Sequence, residues 1–277
     1  LFIILLAPEF YAPLRQLGRD YHAKAEAEGD IEELLPLLEQ HRWQHPGQQP
    51  LQLDTAPALS FTAVSISADN GRLRLPAINL QIASAERVGL HGSSGSGKSS
   101  LLLALLGFVP YAGEILINQR PLLQVRRCDW HRQLGYLSQQ PNFKRGSIAD
   151  NLRLANPAAS QQQLHEVLRQ VDLSFLVEQL PQGLHTQLGE RGLGLSGGQL
   201  SRLAIAQLLL RDAQLWLLDE PTAHLDPETS ATIHALLDTL SVGKTLLLVS
   251  HQWQGLHWLD RHLDLASLHT AQELAPC

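Results

Sequence analysis

The sequence predicts an α/β domain built on a mostly parallel sheet, and two observations lead to this prediction. Continuous apolar runs bounded by polar residues occur at 215–218 and 245–249, as in parallel strands covered on both faces. Helical patterns of apolar residues lie at 164–171, 200–210 and 229–240. Strands that alternate with helices are typical of a parallel sheet with helices packed on it.

The composition excludes several other classes of protein. Apolar residues make up 44% of the 277 residues and charged residues 17%, which excludes a disordered chain. The formal net charge of −6 argues against nucleic acid as a partner, because phosphate binding needs a basic surface. Cys128 and Cys277 fit neither a disulfide framework nor a thiolate zinc site. A reducing compartment is therefore expected.

The first residues are wholly apolar. Leu1–Ala7 is too short to cross a bilayer, which needs about 20 residues, and it lacks the pattern of a signal peptide. The sequence contains no methionine, so we expect that Leu1 is not the native start. Two interpretations stay open: a buried end of a helix or strand, and the cytoplasmic end of a transmembrane helix.

The next segments are predicted to be helical and then irregular. Apolar residues recur with helical spacing over 8–40, and Asp30 with Glu33 predicts the start of a second helix. Pro36 should kink or shorten that helix. Residues 41–57, rich in Gln, Pro and His, are predicted to be a linker.

From residue 58 the pattern is that of a folded domain. Residues 61–67 and 78–82 alternate apolar and polar side chains, which predicts antiparallel strands with one buried face. A short strand at 87–91 leads into a glycine-rich turn and then into an apolar helix at 99–106. Ser160 with Gln163 predicts the start of the helix that contains 164–171.

The glycine-rich turn has the pattern of a phosphate-binding loop. It fits G-x-x-x-x-G-K-[ST] and lies between a predicted strand and helix. Backbone N–H groups of such a loop surround phosphate oxygens, and the helix start adds positive potential. Lys98 is predicted to reach the β- and γ-phosphates, and Ser99 to hold Mg²⁺. The predicted nucleotide-binding residues are Gly92, Ser93, Ser94, Gly95, Ser96, Gly97, Lys98, Ser99 and Ser100.

Two further motifs extend this prediction. The apolar run at 215–218 ends in Asp219, a predicted Mg²⁺ ligand, and Glu220, a predicted general base. The sequence LSGGQ at 195–199 precedes the helix at 200–210 and predicts a second anion-binding helix start. Two phosphate-binding elements in one chain imply a nucleotide held between two domains, each of which contributes a different element.

In this order the motifs resemble the ATP-binding cassette (ABC) family over about residues 58–265. The resemblance implies a P-loop NTPase with a RecA-like core, an antiparallel β subdomain and a helical subdomain at about 141–205, with ATP and Mg²⁺ as cofactors. It implies that Glu220, Lys98, Gln139 and His251 are catalytic, and that Gln139 joins Ser99 and Asp219 at the metal. It adds these nucleotide-binding residues: Gln139, His251, Ser196, Gly197, Gly198, Gln199 and Asp226.

Two segments resemble the exporter branch of this family. Residues 186–192 are similar to the segment that exporters place against the coupling helices of their membrane domain. Residues 6–25 resemble the end of the last membrane helix in one half of a heterodimeric exporter of cysteine and glutathione that serves cytochrome bd assembly. This resemblance implies a second half-transporter subunit and a nucleotide-binding domain on the cytoplasmic side of the bacterial inner membrane.

The implied domains are the end of the last transmembrane helix with its extension at 1–40, the linker at 41–57 and the nucleotide-binding domain at 58–277. One departure is Ala68, which stands where exporters place an aromatic residue against adenine. Base stacking contributes roughly 1–3 kcal/mol, so we expect ATP affinity to be about 5- to 150-fold weaker unless another ring substitutes.

Three alternatives stay open: an exporter of another substrate, a soluble ABC ATPase without a membrane partner, and a regulatory domain that binds ATP without cleaving it. The acidic charge and the apolar Leu1–Ala7 argue against the second alternative. The presence of Glu220, His251 and LSGGQ argues against the third.

Overall fold

The computed structural model of this protein describes residues 11–40, 47–68, 71–189, 194–223, 225–251 and 255–270. Its internal contacts divide the chain into two units, Leu1–Gln44 and His45–Cys277. The apolar segment Leu1–Ala7 lies outside the described residues, as does most of the GERG sequence at 189–192.

The described part of the first unit is one helix, α1 (Ala12–Gln40). The predicted start of a second helix at Asp30 is wrong, because α1 continues through Asp30 and Pro36. The leucine and glutamate residues on both sides of Pro36 are helix formers, and extending an existing helix is easier than starting a new one. In the part of the chain that the structure describes, no helix is long and apolar enough to cross a membrane.

The second unit contains a five-stranded parallel sheet, and this confirms the predicted fold class. Its strand order is β11-β3-β10-β9-β6, and every neighbouring pair is parallel. The central strands are almost completely buried. The strands are β3 (Arg87–His91), β6 (Leu134–Leu137), β9 (Leu215–Asp219), β10 (Thr245–Val249) and β11 (Arg261–Asp264).

A four-stranded antiparallel sheet forms the predicted β subdomain, in the order β2-β1-β4-β5. Alternating side chains of its longer strands are buried, as the alternating sequence pattern predicts. Its strands are β1 (Leu59–Ser67), β2 (Leu73–Ile82), β4 (Ala112–Ile117) and β5 (Arg120–Pro121). Two short strands, β7 (Gly146–Ser147) and β8 (Gln187–Leu188), pair separately.

Helices of the second unit bury their apolar faces in two clusters. The predicted helix start at Ser160 is confirmed, since the Ser160 and Gln163 side chains each accept a backbone hydrogen bond from the other residue. The helices are α2 (Lys98–Leu105), α3 (Arg127–Gln133), α4 (Ile148–Arg153), α5 (Gln161–Gln170), α6 (Ser174–Gln179), α7 (Gly197–Leu210), α8 (Pro227–Leu240) and α9 (Leu265–Thr270).

Part of the segment predicted as a linker belongs to the second unit and is packed within it. Gln49 forms a bridge with Val125, and Leu51, Leu53 and Ala56 are buried. Apolar side chains spaced among Gln and Pro therefore anchor this stretch.

The register of the parallel sheet positions the predicted site. Val249 at the end of β10 lies opposite Leu90 of β3 on one side and Asp219 of β9 on the other. The carboxyl ends of the three strands therefore lie side by side, where ligands of open α/β sheets bind. The chain leaves this edge through the glycine-rich turn, through Glu220 and through His251.

Candidate active site

The glycine-rich loop lies between β3 and α2, and Lys98 is the first residue of α2. Its ammonium group folds back over the loop and donates to the carbonyl oxygens of Gly92 at 2.8 Å and Ser93 at 2.9 Å. Lys98 is 5% exposed, and burial lowers its pKa although Glu220 and Asp219 act to raise it. A cation held inside a loop of this kind suits a phosphate group.

Two features of the loop show why its residue types are needed. Gly97 has φ +100°, in the left-handed region, and a Cβ there would lie 2.6 Å from the carbonyl oxygen of Arg74. Any side chain at position 97 would therefore clash with the start of β2. The Ser96 hydroxyl is buried and has no hydrogen-bond partner among the described residues, so the loop retains an unused polar group of the kind a phosphate oxygen satisfies.

The predicted metal ligands lie close together. The Ser99 hydroxyl at the start of α2 donates to Asp219 Oδ1 across 3.2 Å. Asp219 is 9% exposed, and burial raises its pKa; Glu220 adds to this increase, whereas Ser99 and Lys98 oppose it. A buried carboxylate beside a hydroxyl is a set of hard oxygen donors, which fits Mg²⁺.

The Glu220 carboxylate is the centre of the site. Its Oε1 lies 2.7 Å from His251 Nε2, and its Oε2 accepts a hydrogen bond of 3.0 Å from Gln139 Nε2. The structure thus brings two sequence-predicted residues, from the loops after β6 and β10, to the carboxyl group of a third, which follows β9. An oriented carboxylate next to a phosphate loop can accept a proton from an attacking water molecule.

The backbone at Glu220 is strained. Its φ is +49°, which is uncommon for a residue with a long side chain. The surrounding fold compensates, because Glu220 N donates to Val249 O at 2.9 Å and Ala223 N donates to Glu220 O at 3.0 Å. Strain of this kind is frequent at functional sites, where the structure fixes a side chain in one direction.

The LSGGQ segment forms the start of α7. Ser196 caps the helix: its hydroxyl accepts from Gln199 N at 3.3 Å, and the Gln199 side chain accepts from Ser196 N at 2.9 Å. A Cβ on Gly198 would lie 2.6 Å from Thr229 Cγ2, and one on Gly197 would lie 3.1 Å from Leu225. The glycines therefore let α7 approach the start of α8 closely.

Asp226 lies at that start and caps α8. Its Oδ1 accepts from Thr229 N at 2.9 Å, and this backbone hydrogen bond lowers the pKa of the carboxyl group. The contacts thus place Asp226 beside the LSGGQ segment within one chain. A role for Asp226 and for Ser196, Gly197, Gly198 and Gln199 toward a nucleotide stays a prediction.

Sequence reasoning missed Asn151, a buried residue of α4. Its side chain donates to the carbonyl oxygens of Lys144 and Ser147 at 3.0 Å each and accepts from Lys144 N at 2.9 Å. Asn151 thereby fixes the chain that follows Gln139. A polar residue inside a helical pattern gives no signal of this role before the loop position is known.

The comparisons with known proteins agree with this geometry. The ABC transporter family pattern matches residues 75–223. Over 94% of its length the chain is 34% identical to the glutathione/L-cysteine transport system ATP-binding/permease protein CydD of Haemophilus influenzae, covering 44% of that protein. Over 73% of its length it is 38% identical to the ATP-dependent lipid A-core flippase of Hahella chejuensis, covering 35% of the flippase. The chain thus spans less than half the length of these relatives.

A solved structure is similar over nearly the whole chain. The structure of a bacterial Atm1-family ABC exporter with ATP bound matches with a TM-score of 0.80 at 25% identity, covering 97% of this chain and 51% of the exporter chain. The fold, the loop that surrounds Lys98 and these similarities lead to one conclusion: the chain belongs to the ABC transporter family and contains its ATPase domain.

Proposed function

We propose that this chain is the ATP-hydrolysing part of an ABC exporter that moves small thiols, cysteine and glutathione, across the bacterial inner membrane for cytochrome bd assembly. The observation that carries the proposal is the Glu220 carboxylate held between His251 and Gln139. A domain that only binds ATP needs no such oriented base. The substrate class rests on the similarity to CydD.

In the proposed reaction, water attacks the γ-phosphorus, the bond from that phosphorus to the β-phosphate oxygen breaks so that ADP leaves, and Glu220 accepts a proton from the attacking water. Lys98 neutralises charge on the β- and γ-phosphates, since its ammonium group is already directed into the loop. His251 contacts the γ-phosphate, and Gln139 orients the water from the other side of Glu220. The loop backbone and the positive start of α2 hold the remaining phosphate charge.

Mg²⁺ would be held by Ser99 and Asp219, with Gln139 as a further ligand. When bound, the ion supplies positive charge to the phosphate oxygens. The raised pKa of Asp219 reflects a carboxylate whose desolvation a cation would offset.

A surface cavity next to Gln139 supports coupling to a membrane domain. It has a volume of about 500 Å³, and Ser138 and Pro141, which flank Gln139 and Gln140, are in its wall. Exposed rings of Phe108 and Tyr136 also line it. We infer that a helix of the membrane domain docks here, so that its movement reaches Gln139.

The partner is proposed to be a second ABC half-transporter, a CydC-like subunit in a heterodimer. The LSGGQ segment at Ser196 would complete the nucleotide site of that partner, and the partner's equivalent segment would complete the site at Lys98. Residues 1–40 are proposed to be the end of the last transmembrane helix with its cytoplasmic extension, so the ATPase domain would lie on the cytoplasmic side of the membrane.

An exporter of another substrate is the second candidate, and the similarity to lipid A-core flippases favours it specifically. The substrate is chosen by membrane helices, whereas the ATPase site is compatible with either cargo.

The test is transport by the full exporter with its partner, reconstituted in proteoliposomes with the ATPase domains outside. We expect uptake of labelled cysteine and glutathione that needs ATP and Mg²⁺ and is abolished by Glu220→Gln. If lipid A-core stimulates ATP hydrolysis and neither cysteine nor glutathione is taken up, the thiol proposal is wrong and the second candidate is supported. Absence of ATPase activity in the wild-type complex would overturn both.

A further inference from the structure

His234 is a residue of α8 that lies next to the turn after Glu220. It is 9% exposed, and its Nε2 is 3.3 Å from the hydroxyl oxygen of Thr222. Thr222 belongs to the turn that follows Glu220, in which Ala223 N donates to Glu220 O. The His234 ring therefore contacts the turn that sets the direction of the Glu220 side chain.

The same ring also lies near residues 255–258. A Cβ on Gly255 would lie 4.0 Å from His234 Cδ2, and the Trp258 ring centroid is 6.5 Å from that of His234. His234 thus lies near both the turn after Glu220 and residues 255–258, while the Glu220 and His251 side chains are 2.7 Å apart.

Ion pairs of Arg87 connect α8 to the segment that contains Trp258. Arg87 donates to Asp238 of α8 at 2.8 Å and pairs with Asp260 at 3.3 Å, and its guanidinium group lies 5.6 Å from the Trp258 ring centroid. The helix that carries His234 and the segment that carries Trp258 are therefore fixed relative to each other, and His234 meets Thr222 from a fixed support.

The protonation of His234 follows from its surroundings. Burial lowers its pKa, so the ring is neutral and carries one N–H. Its Nδ1 is buried with no hydrogen-bond partner among the described residues. The tautomer with hydrogen on Nε2 donates to Thr222 and leaves Nδ1 as an acceptor, whereas the other tautomer would bury an N–H without an acceptor.

We propose that His234 is a positioning residue for ATP hydrolysis: its Nε2–H holds Thr222, and thereby the turn that directs the Glu220 side chain toward His251. The inference rests on the proposed role of Glu220 as general base. His234 itself contacts neither of these side chains, so its loss should change turnover and leave ATP binding unchanged.

The test measures ATPase kinetics and ATP binding in the full exporter with its partner. Three variants probe the contact: His234→Leu removes the donor, His234→Gln supplies an amide N–H near the position of Nε2, and Thr222→Val removes the hydroxyl. Thr232→Val is the matched control, because Thr232 is an exposed residue of α8 and its hydroxyl donates to Glu228 O of the same helix. Glu220→Gln is measured in the same assays, to test the proposed role of Glu220 separately from that of His234.

We expect His234→Leu and Thr222→Val each to lower kcat about 3- to 10-fold, the usual effect of one hydrogen bond, with KM for ATP within about twofold of wild type. The double variant should lose no more than either single variant, because both remove the same contact. His234→Gln should restore most of the turnover, and Thr232→Val should match wild type.

Unchanged kcat in folded His234→Leu would overturn the inference, as would His234→Gln being as slow as His234→Leu or additive losses in the double variant. If Glu220→Gln keeps wild-type turnover, the proposed chemistry fails. If Glu220→Gln is inactive while His234→Leu is fully active, the inference about His234 alone fails.

Discussion

Glu220 Oε1 and His251 Nε2 lie 2.7 Å apart at the carboxyl edge of the parallel sheet. The two residues are joined through the sheet as well, since Glu220 N donates to the carbonyl oxygen of Val249 at the end of β10. The strand that carries His251 therefore also fixes the backbone of Glu220. Strand β10 and the residues after it thus fix the positions of both side chains. Substitutions at either residue should therefore affect the same chemical step.

Replacement of Glu220 by Gln should abolish most turnover. The change keeps the shape of the side chain and its contact with Gln139 but removes the proton acceptor, so we expect kcat to fall by about 10²–10⁴ while ATP still binds. The measurement is phosphate release by the full exporter, with nucleotide binding followed separately. Wild-type turnover in this variant would remove Glu220 from the role of general base.

Replacement of Lys98 by Ala should weaken ATP binding. Hydrogen bonds to a charged group contribute about 1.5–3 kcal/mol, which corresponds to about 10- to 150-fold in Kd. Lys98→Arg should not rescue binding, because a planar guanidinium group cannot fold into the carbonyl cradle of Gly92 and Ser93. Lys144→Ala removes the same charge from an exposed site and is the control. Equal affinities in equilibrium nucleotide titrations of the two Ala variants would contradict the prediction.

A methyl group at Gly198 should destabilise the junction of α7 and α8. The added Cβ would lie 2.6 Å from Thr229 Cγ2, and overpacking of this kind costs about 1–3 kcal/mol. Thr229→Ser removes that methyl group and keeps the backbone N–H that Asp226 caps. Thermal unfolding should therefore show a lower Tm for Gly198→Ala, a nearly unchanged Tm for Thr229→Ser and recovery in the double variant. If the double variant unfolds as early as Gly198→Ala, the close contact does not explain the glycine.

Acid should destabilise the domain partly through His91. This residue ends β3 and is 1% exposed. Burial, and secondly His262, lower its pKa to about 4 from 6.5, while the Ser250 backbone and Asp264 act in the opposite direction and Lys98 adds to the decrease. Because the folded-state pKa is below the unfolded-state value, the neutral form stabilises the fold above pH 6.5. That contribution is lost as the pH falls from 6.5 toward 4.

Tm measured across this pH range should fall less steeply for His91→Gln than for wild type. His165→Gln, at an exposed position of α5, should keep the wild-type slope. Identical slopes for all three proteins would show that the acid sensitivity has another source.

Introduction of a ring at position 68 should strengthen ATP binding. Ala68 directly follows β1, and its N donates to Arg72 O while its O accepts from Gly71 N, each at 2.8 Å. An aromatic side chain stacked on adenine contributes about 1–3 kcal/mol, so Ala68→Tyr should lower Kd for ATP about 5- to 150-fold. Ala68→Leu adds bulk without a ring and is the control. Equal effects of Tyr and Leu would argue against stacking at this position.

Much of the fold could be predicted because its signals are local. The continuous apolar runs of β9 and β10, the alternation in β1 and β2 and the capping pair at Ser160 are each set by neighbouring residues. The error at Asp30 shows the limit of such signals. A capping pattern there competes with continuation of a helix already formed, and adding one residue to a helix costs less than starting a new one.

The candidate site likewise contains residues that the sequence reveals and residues that it does not. Three motifs can be recognised in the sequence: the phosphate loop, Asp219-Glu220 and LSGGQ. Backbone geometry and phosphate chemistry restrict which residue types can occupy these positions. Asn151, His91 and His234 carry no such signal. Each lies in an ordinary helical or strand pattern, and its role depends on where the neighbouring loops lie in the folded domain.

From the sequence alone, an ABC-type ATPase domain could be predicted, together with the residues of a candidate phosphate loop and Glu220 as a candidate general base. Only the tertiary structure decided that Glu220 meets both His251 and Gln139, since 81 residues separate Gln139 from Glu220 along the chain. Strand register brings their loops to one edge, and register depends on the packing of all five strands. The contacts of Trp258 with Arg87 and with His234 likewise form only once α8 has packed against the sheet.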